Sequence, residues 1–99
     1  MVKHIVLFKL NDTLTIDKRK EIISNFKSIV ESLPQKIDQL LFAEVGENIN
    51  PKEIFDISLI AHVEKLEDVA IYDQHPEHQK AVAILRGNVA QRCCVDSEC

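Results

Sequence analysis

The stretch YDQHPEH, Tyr72 to His78, holds two of the chain's four histidines and its single tyrosine. An imidazole with an ordinary pKa of about 6.5 takes or gives a proton near neutral pH, so His78 is the first candidate for general acid/base work. A tyrosine hydroxyl can donate a hydrogen bond to an oxyanion or carbonyl, the usual partner of a histidine base in carbanion chemistry, and Tyr72 is placed to do so. Each has a plainer reading. His78 can be a helix-turn residue bonded to a nearby backbone carbonyl, and Tyr72 can pack its ring in the core with the hydroxyl at a polar edge. His75 precedes Pro76, and proline suits the first position of a helix while pushing its predecessor toward an extended backbone. His75 therefore reads as a helix entry, with Glu77 in the first turn at the positive end of the helix dipole.

Elements must position these groups. The segment VKHIVLFKL is β-branched and apolar through its middle and reads as a first strand, with His4, Val6, Phe8 and Leu10 on one side. From about Thr15 to Leu33 apolar residues recur with a helical period at Ile16, Ile22, Ile23, Phe26, Ile29, Val30 and Leu33, and Pro34 ends the run. KIDQLLFAEVGEN reads as a second, bent strand. EIFDISLIAHV alternates as a third, with Phe55, Ile57, Leu59, Ala61 and Val63 on one face and Asp56, Ser58, Ile60 and His62 on the other. KLEDVAIYDQ and PEHQKAVAILRGNV are helical, and AQRCCVDSE closes the chain as a last strand. The order is βαββαβ, an α+β fold of the ferredoxin-like kind: an antiparallel sheet with helices on one face. The other face mixes Ile5, Leu7 and Ile60 with Lys3, Asp56, Ser58 and His62, too apolar for easy solvation, so a homodimer with stacked sheets is expected.

Ninety-nine residues support one domain, 1–99. A net charge of −4 with scattered lysines and arginines gives no basic stripe for a phosphate backbone, so nucleic acid is not an expected partner. No apolar run approaches the roughly 20 residues of a membrane span, and Met1 leads almost directly into a strand, so a soluble cytoplasmic protein is expected. Cys93, Cys94 and Cys99 crowd one end without a disulfide framework or a zinc-ligand spacing, and read as free thiols. No metal is expected, neither at this tail nor on His4, His75 and His78. With only Gly46 and Gly87 there is no phosphate loop, and no nucleotide cofactor is implied.

The opening MVKHIVLFKL, the HPEHQ after the second helical segment and the closing RCCVDSE together resemble the stress-responsive α/β-barrel (Dabb) family over essentially the whole chain. The resemblance implies ferredoxin-like dimers whose sheets pack into a barrel. It also implies a candidate chemistry. A plant polyketide cyclase of that family uses a tyrosine and, six residues on, the second histidine of an HPxH motif, which match Tyr72 and His78. Its first-strand pocket residues match His4, Val6 and Phe8. Two polar pocket residues of that cyclase fall at Phe26 and Ile57 here, removing a hydroxyl and an imidazole.

The resulting expectation is an apolar cavity between sheet and helices, lined by His4, Val6, Phe8, Ile23, Phe26, Ile57, Leu59, Tyr72 and His78. In it His78 would remove a proton next to a carbonyl and Tyr72 would steady the enolate oxygen, without a cofactor. The competing expectation is a non-catalytic dimer that binds a small apolar ligand or fills the space with side chains.

Overall fold

A computed structural model describes residues 1–99 in full. Strand β1 (Val2–Leu10) is followed by helix α1 (Ile16–Ser32), a 3₁₀ turn (Leu33–Gln35), β2 (Phe42–Glu47), β3 (Ile57–Val63), α2 (Glu67–Gln74), α3 (Pro76–Leu85) and β4 (Val89–Glu98). The four strands form one antiparallel sheet in the order β2-β3-β1-β4. This is the ferredoxin-like βαββαβ arrangement, with the second helical element broken into α2 and α3.

Local chemistry sets the boundaries. Thr15 accepts from the amide of Lys18 (3.1 Å) and caps α1, and Pro34 turns its last residues into the 3₁₀ turn. Ile16, counted on the apolar stripe from its spacing, is largely exposed because it is the first helical residue and precedes the packed turns. Ile22, Ile23, Phe26 and Val30 carry the stripe into a core of 19 buried apolar residues, together with Val6, Leu10, Leu59, Ala61 and Val63 of the central strands.

Two strands are shorter than their sequence patterns. β2 begins only at Phe42, because Ile37 and Leu40 are buried in the connection after the 3₁₀ turn rather than alternating in a ladder. β3 begins at Ile57. Phe55 thus has no strand face, and Asp56 does not join the outward row with Ser58 and His62. Its carboxylate instead accepts from the amide of Leu10 (2.7 Å) and from Arg19 of α1 (3.2 Å), tying the end of β1 to the helix. The amide would otherwise lack a partner at the strand end.

After α3 the chain turns sharply. Arg86 (φ −58°, ψ 126°) and Gly87 (φ 79°) form the centre of a type II turn closed by the Asn88 amide on the Leu85 carbonyl (2.9 Å), and the positive φ requires glycine there.

Helix α1 packs on β2, and the helix-side residues of β3 and most of those of β1 are buried, whereas no residue of β4 is buried. The register places Arg92, Cys94 and Asp96 of β4 opposite Phe8, Val6 and His4, on the helix side of the sheet. A cavity therefore opens between α2, α3 and the uncovered side of the edge strand.

Candidate active site

The cavity has a volume of about 550 Å³ and is reached from solvent. His4, Val6 and Phe8 of β1, Leu59 of β3, Phe26 of α1, Tyr72 of α2 and His78 of α3 line it, so these seven expected wall residues are brought together. Ile23 and Ile57 are not on the wall. Ile23 is packed within the core, and Ile57 sits where β3 begins and borders a smaller depression of about 290 Å³ with Leu7 and Ser58. Phe8 and Phe26 meet edge to face with centroids 5.7 Å apart.

The break between α2 and α3 prepares His78. In a continuous helix the amide of Glu77 would bond the carbonyl of Asp73. Here His75 is extended, Pro76 supplies no donor, and the Glu77 amide donates instead to Nδ1 of His75 (3.0 Å). The freed Asp73 carbonyl accepts from Nδ1 of His78 (2.9 Å) and from Nε2 of Gln79 (2.9 Å). A carbonyl only accepts, so Nδ1 of His78 carries the proton, and in the neutral ring Nε2 holds the free lone pair. The helix-turn reading of His78 and the acid/base reading are thus compatible in one side chain. Burial pushes the His78 pKa below its ordinary 6.5, with the Asp73 carbonyl and carboxylate opposing, which favours the neutral, basic form. His75 spends its own ring nitrogen as the cap and is not on the cavity wall, so His4, His75 and His78 do not converge.

Tyr72 lies between the other two imidazoles. Its ring is 4.4 Å from that of His78 and 6.1 Å from that of His4, centroid to centroid. It is 1 % exposed, and its hydroxyl has no hydrogen-bond partner. Burial, aided by the Asp73 carboxylate, pushes the phenol pKa well above the usual value, so the hydroxyl stays a neutral donor. A buried hydroxyl without a partner costs about 1–3 kcal/mol.

His4 does what its strand position suggested and more. It lines the cavity, and its Nδ1 donates to the carboxylate of Asp96 (2.5 Å) across the β1–β4 pair. That leaves Nε2 as its other polar atom. The sequence pattern missed Asp96, and also Arg86 and Arg92, which line the cavity with Asp73, Val82, Leu85, Gly87 and Val89. The signal that could have found Asp96 is register: alternation on β4 places it two and four residues from Cys94 and Arg92 on the face shared with His4.

His4, Cys94 and Asp96 each offer a ligand atom within 4.8 Å of the others, so they could share a cation. In this structure Asp96 and His4 are engaged with each other, with Cys94 Sγ 3.5 Å from the same nitrogen. Burial and the Asp96 carboxylate push the Cys94 pKa up and favour the protonated thiol. All three cysteines are free.

The site is thus a cavity on the helix side of a ferredoxin-like sheet, with two hydrogen-bonded imidazoles around one buried phenol. The chain belongs to the stress responsive A/B barrel domain family, which matches residues 2–99. It is 32% identical over 87 residues to an uncharacterized protein of Streptomyces coelicolor, covering 87% of this chain and 88% of that one. It is also similar to a crystal structure from Bacteroides fragilis described as a dimeric protein of unknown function with a ferredoxin-like fold. The two are 43% identical with a TM-score of 0.96, over 99% of this chain and 95% of the other. A hydroxynitrile lyase from Passiflora edulis shares the fold at 13% identity and a TM-score of 0.71, over 97% of this chain and 90% of that one. No helix of the chain is long and apolar enough to cross a membrane.

Proposed function

We propose that the protein performs acid/base chemistry on a small apolar carbonyl compound, in the manner of a cyclase or lyase, with the side chains alone as catalysts. The observation that carries this reading is His78: a cavity-wall imidazole whose Nδ1 is held by a backbone carbonyl, leaving Nε2 as the basic atom, with the ring of Tyr72 4.4 Å away, centroid to centroid. Nε2 takes the proton from the carbon next to the carbonyl. The C–H electron pair moves into the enolate, and the Tyr72 hydroxyl donates to the enolate oxygen as charge develops there. The enolate then either closes on a second carbonyl carbon of the same molecule, whose C=O π pair moves onto its oxygen and takes the proton held on Nε2, or collects that proton back at carbon. Phe8, Phe26, Val6 and Leu59 hold the apolar body and keep water from the anion.

The test is deuterium wash-in at the carbon between the carbonyls of apolar β-diketones, followed by NMR in D₂O. Turnover should be lost in His78→Ala and fall about 10²-fold in Tyr72→Phe. Ligand binding with no wash-in for any member of the panel would replace the catalytic reading with the non-catalytic, ligand-binding one.

The protein is further proposed to act as a homodimer through the outer sheet face, where half-buried Ile5, Leu7 and Ile60 lie beside exposed Phe42 and Val95. His62 belongs to this face and packs on Phe42 at 5.0 Å. The dimeric relative supports this reading. Three exposed free thiols fit a reducing compartment such as the cytoplasm.

A further inference from the structure

Two side chains of β4 converge on one atom of β1. Nδ1 of His4 lies 2.5 Å from the Asp96 carboxylate and 3.5 Å from Sγ of Cys94. Register explains the meeting: Asp96 stands directly across from His4 and Cys94 across from Val6, so both share the helix side of the sheet with His4. Cys94 and Asp96 are exposed, and the sheet face proposed to stack on a second copy is the other one. Spacing conceals the set, since His4 and Cys94 are 90 residues apart in the chain.

A Cys–His–Asp proton relay needs the imidazole between its two partners, one on each ring nitrogen. Here both partners crowd the same nitrogen, so no proton passes through the ring from thiol to carboxylate. What the three groups share is the space between them: one nitrogen, one sulfur and one oxygen, all within 4.8 Å of one another. A single proton on Nδ1 serves one partner well, and the carboxylate takes it. A cation can serve all three.

The ligand types select that cation. Calcium and magnesium take oxygen ligands, to which an imidazole and a thiolate are foreign. One nitrogen, one sulfur and one carboxylate suit zinc, and three protein ligands leave its fourth tetrahedral position to water. Tetrahedral zinc bonds of ordinary length put an imidazole nitrogen and a thiolate sulfur about 3.6 Å apart, close to the 3.5 Å between His4 and Cys94. The same geometry needs roughly 3.3 Å between nitrogen and carboxylate oxygen, so Asp96 must withdraw by roughly 1 Å. Its side chain is 31% exposed and has room to do so.

We infer that His4 Nδ1, Cys94 Sγ and the Asp96 carboxylate bind one zinc ion per chain, which clamps the edge strand β4 to β1. A neutral imidazole, a thiolate and a carboxylate balance the charge of a divalent cation. The thiol proton leaves to water as the sulfur–zinc bond forms, and the imidazole keeps its one proton on Nε2 instead of Nδ1. The clamp falls on a strand with no buried residue, where packing holds the sheet least. Neither Tyr72 nor His78 is a ligand, so the site does not depend on the proposed acid/base chemistry.

Calorimetric titration of the reduced, metal-stripped full chain with zinc chloride tests this, alongside absorption spectra with cobalt(II) in place of zinc. Zinc should bind at one ion per chain with a Kd of about 10 µM or tighter, and cobalt should give a sulfur-to-metal charge-transfer band in the near ultraviolet. Cys94→Ser should abolish that band. Cys94→Ser and Asp96→Asn, both at exposed positions, should each weaken zinc by at least the roughly tenfold that even an outer partner of a metal is worth. Cys93→Ser, on the opposite face across from Leu7, should bind zinc as the parent chain does. Weaker binding by the parent, retained affinity in either Cys94→Ser or Asp96→Asn, or a loss in Cys93→Ser as large as that in Cys94→Ser would overturn the assignment. The last outcome would mean chelation by the adjacent thiols of the tail.

Discussion

The two central strands and the edge strand β4 carry the same pleat to opposite ends. On β1 and β3 alternate residues are buried, apart from half-buried Phe8, and every buried one but His4 is apolar. On β4 nothing is buried, and the residues that continue the same face are Arg92, Cys94 and Asp96. The difference follows from where the helices stop. A covered face must be apolar to offset the loss of chain entropy, whereas an uncovered face can hold charge at low cost, and charge next to an apolar wall is what a binding site needs.

The largest effect that tests this division is in the covered half. Leu10 has no exposed surface, and Leu10→Ala should cost about 2–5 kcal/mol in urea denaturation. Gln91→Ala on β4 should stay within about 0.5 kcal/mol. Comparable losses from the two would erase the distinction.

At the boundary, Asp56→Ala removes the acceptor of the Leu10 amide and the partner of Arg19, and should cost about 1–3 kcal/mol. An effect confined to salt-dependent stability would mean that only the surface ion pair matters. His75→Ala deletes the α3 cap and should cost about 1 kcal/mol, with the His78 ring NMR signals shifting as the Glu77 amide competes for the Asp73 carbonyl. Unmoved His78 signals would show that the ring is held by something other than the helix break.

The smallest effect is a slope. Burial lowers the His78 pKa in the folded state, so above about pH 6.5 the ring is neutral in both states and contributes no pH dependence. As pH falls through that value the unfolded ring protonates first, and stability declines until the lower folded pKa is passed. Urea midpoints between about pH 7 and about pH 5 should fall less in His78→Gln than in the parent chain. Parallel curves would place the ring in water.

Much of this molecule is legible in one dimension. The strand and helix order, the α1 stripe and the His75–Pro76 helix entry all depend on periodicity or on a single residue's backbone preference. The start of β3 is not legible this way, because Phe55 and Asp56 keep the alternation although the ladder begins only at Ile57. Only the contact with Leu10 and Arg19 reveals where Asp56 points. Ile23 and Phe26 share the apolar stripe of α1, yet only Phe26 lines the cavity, because periodicity cannot say which part of a stripe meets core and which meets space.

What the sequence determined by itself is therefore the order of strands and helices, the helix entry at His75 and Pro76, and His4 on the helix side of the sheet. Tertiary structure alone decided that Asp96 would hold His4, that the Asp73 carbonyl would set the His78 tautomer, and that Arg86 and Arg92 would stand at the cavity outside any ion pair. Periodicity reports the face a residue occupies. Which charged groups from distant segments meet, and which are left without a partner, depends on register and on where the helical layer ends.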